Sequence, residues 1–198
     1  MIKAVFFDMA GVIFTDTFKQ SLDEYGKEVG LPTGKMYEVI HDHKGWKDFT
    51  LGNITEDEYL SMCEERASGF LFDRRKFIKY IDKSMVQNPA VIDFVKQLSS
   101  AYTVGVITNN PKEWFLRFLK RTGLEDVIKV KAVSSYIHVR KPDKKIFEYA
   151  LRQAGVKGGE AAYVDDRPDR VQGAHELGIN VVVFDGDVKR LKDKINNL

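Results

Sequence analysis

The sequence predicts an α/β protein: a parallel sheet covered by helices on both faces, interrupted early by an all-helical insertion. The chain opens on an unbroken apolar run, Ala4-Val5-Phe6-Phe7, which reads as a strand buried on both faces. Beyond Asn88-Pro89, short strand-like runs alternate with helical ones, the pattern of right-handed βαβ units. Between these regions, from residue 31 to about 88, only helical period is found.

After the first strand, Phe18, Leu22, Tyr25 and Val29 recur at helical spacing across residues 16–30, and Gly30 reads as the stop. Helical period then covers residues 36–49, 55–68 and 70–85, with the turn Leu51-Gly52-Asn53-Ile54 separating the first two. Thr55 reads as an N-cap, and Glu58 completes a capping box. The break at Asn88-Pro89 returns the chain to the core. Helices are expected over 90–99, 111–121, 143–154, 167–177 and 188–195, alternating with strands over 103–107, 128–133, 161–164 and 181–184.

Bulk composition excludes several classes. The 198 residues suffice for one substantial core with a small second domain. With 31 basic and 29 acidic residues, a formal net charge of +2 and no basic run, there is no electrostatic footprint for nucleic acid. The single cysteine, Cys63, excludes an intramolecular disulfide and a cysteine-cluster metal site, and fits a reducing compartment. No stretch approaches a membrane span, and Asp8 interrupts the apolar start before it takes a signal peptide's form. The expectation is a cytoplasmic protein without nucleic-acid or membrane partners; nothing indicates its oligomeric state.

Three expected strands end in polar residues. The first ends at Asp8, the second at Thr108-Asn109-Asn110, and another at Asp165-Asp166; Arg140-Lys141-Pro142-Asp143 lies between the last two at a helix entrance. Open parallel sheets bind ligands at the carboxyl ends of their strands. Carboxylates, a hydroxyl and a lysine there suit a phosphoryl group handled with magnesium. Each residue also has a plainer reading. Asp8 alone is equally a turn acid or helix cap, Thr108 a strand end leading into a helix, and Lys141 a solvated surface lysine. The adjacent Asp165 and Asp166 repel, which a cation would relieve, but Arg167 and Arg170 are also close in sequence.

Taken together and in this order, four stretches resemble the motifs of the haloacid dehalogenase-like hydrolase superfamily. They are Phe7-Asp8-Met9-Ala10-Gly11-Val12, Ile107-Thr108-Asn109, Arg140-Lys141-Pro142-Asp143 and Val164-Asp165-Asp166-Arg167. The likeness spans essentially the whole chain. It implies a Rossmann-like core over 1–14 and 89–198 with an inserted helical cap over 15–88. Residues 46–59 are similar to the cap of bacterial α-glucose-1-phosphatases and of the phosphatase domain of soluble epoxide hydrolases.

The resemblance implies a Mg²⁺-dependent phosphatase acting on a small phosphorylated metabolite. Asp8 would be the nucleophile, forming an aspartyl-phosphate that water hydrolyses. Thr108 and Lys141 would hold the phosphate, Lys141 would also pair with Asp8, and Asn109 would fix the phosphate-binding loop. The metal would be held by the Asp8 carboxylate, the Ala10 backbone carbonyl and Asp166, with Asp165 binding directly or through water. The cap would close over the substrate and select the leaving group.

Ala10 departs from the pattern, because most phosphatases of this superfamily carry an acid/base aspartate there. A working phosphatase with an undemanding leaving group is the favoured account. Phosphonate-cleaving members also have alanine here and use a cap lysine, for which Lys44 and Lys47 are candidates. Dehalogenases lack the acid too, but their metal-free chemistry does not require Asp165-Asp166. A weakly active phosphate-binding or regulatory relative is the non-enzyme alternative. His41, His43 and Lys44 form a local titratable group able to face the crevice and bind an anion or donate a proton; two residues apart, the histidines do not share a helix face. Tyr37, Trp46, Phe49, Tyr59, Phe70 and Phe72 are expected to form the cap's own core, and His138 and His175 to be structural.

Overall fold

Residues 1–41 and 43–198 are described by a computed structural model. The apolar start is β1 (Ala4–Phe7), followed by a short β2 (Phe14–Asp16). Five helices come next: α1 (Phe18–Glu28), α2 (Lys35–Ile40), α3 (Lys44–Thr50), α4 (Glu56–Arg66) and α5 (Arg74–Ser84). The chain then runs through β3 (Met85–Gln87), α6 (Pro89–Leu98), β4 (Thr103–Thr108), α7 (Lys112–Thr122), β5 (Val130–Val133) and α8 (Ser134–Ile137). It ends with α9 (Lys144–Ala154), β6 (Ala161–Asp165), α10 (Gln172–Glu176), β7 (Asn180–Val183) and α11 (Val188–Asn196).

Five strands form one parallel sheet in the order β5-β4-β1-β6-β7. Its central strand is β1, which is why that strand is apolar throughout: all four of its residues are fully buried. Alternation along the strand sends Val5 and Phe7 to one face and Ala4 and Phe6 to the other. The Val5 face packs with Phe94 and Val95 of α6, Phe115 and Phe118 of α7 and Leu191 of α11, and its cluster continues into the helical block through Tyr25, Met36, Phe49, Tyr59 and Phe77. The Ala4 face is covered by Ile146, Phe147 and Ala150 of α9 and Ala174 of α10. None of the described helices is long and apolar enough to cross a membrane.

The expectation of an insertion without strands needs correction. β2 and β3 pair antiparallel, Phe14 opposite Gln87 and Asp16 opposite Met85, and so tie together the two crossings between core and helical block. A three-residue strand spans too little sequence to show a period, so the 85–87 segment was indistinguishable from a helix end. The single helix expected over 36–49 is two, α2 and α3; Asp42, between them, lies outside the described residues. The capping box does form: Thr55 Oγ1 accepts from Glu58 N at 3.2 Å, and Glu58 Oε2 accepts from Thr55 N at 2.7 Å.

The helical block is joined to the core by specific contacts. Glu56 on α4 accepts from the Trp114 indole at 2.7 Å and pairs with Arg117 at 3.1 Å, both on α7. Ser134 Oγ donates to the Thr50 carbonyl at 2.6 Å. Gly52 permits the close approach beside it: its φ is +72°, and a Cβ there would lie 2.3 Å from the Ser135 carbonyl oxygen.

Candidate active site

Register brings the polar strand ends together. Phe7 lies beside Val106 on one side and Val164 on the other, so Asp8, Thr108 and Asp165 emerge side by side at the carboxyl edge of the sheet. Lys141 reaches them from the loop between α8 and α9. Asn109 fixes that loop: its Oδ1 accepts from Lys141 N at 2.8 Å and its Nδ2 donates to Lys141 O at 3.1 Å. With both ends of its amide committed, Asn109 acts on the position of Lys141.

Lys141 is only 4% exposed, and its ammonium is fully partnered. Nζ lies 2.7 Å from Asp8 Oδ2, and it donates at 2.8 Å to both Asp165 Oδ2 and the Tyr163 hydroxyl. An ammonium has three protons, and these are three acceptors. Tyr163 in turn donates to Asp165. The other Asp165 oxygen accepts from Arg167 N at 2.8 Å. Asp165 therefore holds the lysine and the start of the following turn.

Asp166 is arranged differently. Its Oδ1 is buried and meets no hydrogen-bond partner among the described residues. Gly11 admits the carboxyl: φ there is +81°, and a Cβ would lie 2.2 Å from the Asp166 side chain. Asp8, Asp165 and Asp166 offer oxygens that all lie within 4.8 Å of one another. Burial first, then the charges of Asp8 and Asp165, push the Asp166 carboxyl up to about 6. Asp8 is also raised, chiefly by burial, with Lys141 working against the rise; its Oδ1 accepts from Met9 N at 2.8 Å. Thr108 is buried, and its Oγ1 accepts from Asn110 Nδ2 at 2.8 Å, which leaves the hydroxyl proton to be donated elsewhere.

A crevice of about 240 Å³ opens above these groups, lined at its floor by Asp8, Ala10, Thr108, Lys141 and Asp166. One wall is aromatic. Phe18, Tyr37, His41 and Trp46 of the helical block meet Trp114 of α7 there, with ring centroids 4.6 Å apart for Tyr37 and His41, 5.2 Å for His41 and Trp46 and 5.6 Å for Trp46 and Trp114. Arg140, Arg167, Arg170 and Lys19 supply basic groups to the same crevice.

The structure corrects part of the sequence reading of the cap. Phe49 and Tyr59 are buried, and Phe72 packs against Tyr25 and Phe77, as a cap core requires. Tyr37 and Trp46, however, line the crevice, and Phe70 is exposed. His41 faces the crevice, whereas His43 caps α3 by accepting from Gly45 N at 3.1 Å. His138 bonds the Leu51 carbonyl at 2.8 Å, a structural contact, and His175 is exposed. Lys44 and Lys47 are exposed and do not line the crevice. Tyr163, Trp114, Phe18, Lys19 and Arg140 were not read from the sequence as site residues. Tyr163 alone had a legible signal, since it sits two residues before Asp165 on one strand and so shares its face.

The model of the haloacid dehalogenase-like hydrolase family matches residues 2–178, and the chain belongs to that family. It is 34% identical over 160 residues to the pyrimidine 5'-nucleotidase YjjG of Escherichia coli, spanning 76% of this chain and 71% of that protein. It is 28% identical over 203 residues to the glyceraldehyde 3-phosphate phosphatase of Methanopyrus kandleri, spanning 92% and 83%. Its fold matches that of a HAD family enzyme from Bacteroides thetaiotaomicron solved with magnesium and inorganic phosphate. That match has a TM-score of 0.78 at 19% identity and spans 94% of this chain and 96% of that one.

Proposed function

We propose that the protein is a Mg²⁺-dependent phosphatase that hydrolyses a small phosphate monoester through a phosphorylated Asp8. The observation that carries this reading is the convergence of Asp8, Thr108, Lys141 and Asp166 on the floor of one crevice. The donor set fits a divalent cation. Three clustered carboxyls face one ammonium, and a buried Asp166 oxygen has no described partner. Hard oxygen ligands of this kind suit Mg²⁺. Asp8, Asp166 and the Ala10 carbonyl would hold the ion, with Asp165, which also orients Lys141 and accepts from Arg167 N, binding directly or through water. When bound, the ion neutralises phosphate charge and so eases the approach of an anionic nucleophile.

The chain's own groups supply the rest. Asp8, held by Met9 N and Lys141, attacks phosphorus and displaces the leaving oxygen; water then cleaves the acyl phosphate and restores the carboxylate. Thr108 and Lys141 donate to the phosphoryl oxygens as charge shifts among them. Ala10 cannot protonate the leaving oxygen. Outside the carboxylate cluster the crevice is lined by arginines, which keep their protons, and by Asp16, Lys19, Tyr37 and His41, of which histidine is the side chain type suited to exchanging a proton near neutral pH. The reading therefore assigns the proton to His41, which shares the crevice with Asp8.

The test is phosphate release from a panel of sugar phosphates, acyl phosphates and nucleoside monophosphates, with and without Mg²⁺. Metal-dependent release from at least one class is expected. No such release from any class would overturn the enzyme reading.

A further inference from the structure

The crevice carries more positive charge than a phosphoryl group uses. Lys141 is committed to the carboxylates on the floor. Arg167 is neutralised by Asp169, with contacts of 2.9 and 3.1 Å. Arg170 reaches the same Asp169 only at 3.5 Å. Arg140 has neither an ion pair nor a side-chain hydrogen bond among the described residues, although it is half-buried and lines the crevice.

Burial and the charge of Arg170 both lower the pKa of Arg140, so the two guanidiniums lie close enough to repel. Half-buried like charges facing one cavity, whose lining acids Asp8, Asp16 and Asp166 form no ion pair with either arginine among the described residues, leave a positive hole that an anion fills. Guanidinium is also the group best matched to carboxylate and phosphate oxygens. Neither arginine spends its charge on the floor acids, since Lys141 is the cation that offsets Asp166. Their backbones are held in place: Arg140 precedes the lysine clamped by Asn109, and Arg170 closes the turn Pro168–Arg170 that follows Asp165 and Asp166.

We propose that Arg140 and Arg170 form a second anion-binding subsite, so that the substrate is a phosphate monoester whose leaving group carries its own carboxylate or phosphate. This inference rests on the phosphatase reading for the word substrate, but the subsite can be tested by binding alone. Both arginines line the same crevice of about 240 Å³ as the floor residues, so the second anion belongs to a compact molecule.

The experiment is calorimetric titration of the full chain, with Mg²⁺, using three probes: propylphosphonate, 3-phosphonopropionate and ethane-1,2-bisphosphonate. At least one of the two doubly anionic probes should bind about 10-fold to 100-fold more tightly than propylphosphonate, the range for a hydrogen bond to a charged group. The carboxylate and phosphonate arms identify which anion the subsite takes. Arg140→Gln and Arg170→Gln should each erase most of that preference while propylphosphonate affinity stays within about 2-fold, which also shows that the variants are folded. Equal affinities in the wild type, equal losses for all probes in the variants, or no binding of any probe would overturn the subsite. Metal-dependent phosphate release by the wild type is measured in parallel across the panel of sugar phosphates, acyl phosphates and nucleoside monophosphates. Its absence alongside a retained preference sinks the catalytic reading alone, and its presence without a preference sinks the subsite alone.

Discussion

Replacing Asp166 by Asn should stabilise the metal-free protein. Burial and the neighbouring carboxylates push this carboxyl up to about 6 in the folded state, whereas an aspartate in an unfolded chain titrates at about 3.9. The folded protein therefore holds the Asp166 proton more tightly. That contribution to stability is fully present below about pH 4 and is lost as pH rises through about 6. At pH 7 the ionised side chain costs at most about 3 kcal/mol, from a pKa difference of about two at about 1.36 kcal/mol each. Asp166 is half-buried, and solvent screening lowers the expected cost to about 1–2 kcal/mol. Asparagine has nearly the same shape and no charge. Urea denaturation in EDTA at pH 7 should give Asp166→Asn a free energy of unfolding higher by about that amount, with a thermal midpoint higher by about 2–8 °C. The advantage should vanish at pH 4. Magnesium should reverse the ranking, because a ligand bound only by the folded wild type adds about 2.7 kcal/mol at a hundred times its Kd. A variant less stable than the wild type at pH 7 in EDTA, or a gain equal at both pH values, would refute the reasoning.

Asp8→Asn should cut metal-dependent phosphate release by at least about a thousandfold, as expected when a nucleophile is removed, with the far-ultraviolet circular dichroism unchanged. His41→Gln should lower kcat by about a hundredfold for alkyl phosphates and far less for p-nitrophenyl phosphate, whose leaving group needs no proton; equal losses on both would remove His41 as the proton donor. Ala10→Asp should change the wild-type rate little but restore alkyl phosphate turnover in the His41→Gln background. Tyr163→Phe should cost about 1–3 kcal/mol in urea denaturation, since it strips a partner from both buried Lys141 and Asp165.

The sheet was legible because its signals are local and redundant. A central strand buried on both faces must be apolar throughout, and Ala4 to Phe7 say so without any tertiary information. The floor of the crevice was legible because each of its residues ends a strand or opens a turn, where an acid or hydroxyl is conspicuous. The walls were not. Trp46 differs from the buried Phe49 only in which side of α3 it occupies, Tyr37 lies on α2, and these helices have six (α2) and seven (α3) residues. Two turns are too few for periodicity to separate a face turned to the helical core from one turned to the sheet. Arg140 was hidden for another reason: its significance lies in what it lacks, and a missing ion pair is visible only once every neighbouring carboxylate has been placed.

The same accounting explains how Lys141 can serve both the resting site and the reaction. Its three protons have three acceptors, so a phosphoryl oxygen can gain one only when an acceptor gives it up. Asp165 and the Tyr163 hydroxyl are bound to each other and fully buried, which makes them a fixed base. Asp8 is the acceptor at the crevice, and its Oδ2 is the atom on Lys141. On the proposed chemistry, a bond from Asp8 to phosphorus removes the charge that held the ammonium, and the phosphoryl oxygens arrive with a larger one. The Lys141 proton then changes partner with little movement of the lysine, because Tyr163, Asp165 and the Asn109 clamp hold it in place throughout. Donors already positioned before charge develops spare the reaction their reorganisation. The ion pair of the resting protein is therefore a stand-in for the phosphate contact, and the residues that look most structural in this site, Tyr163 and Asn109, are the ones that keep it ready.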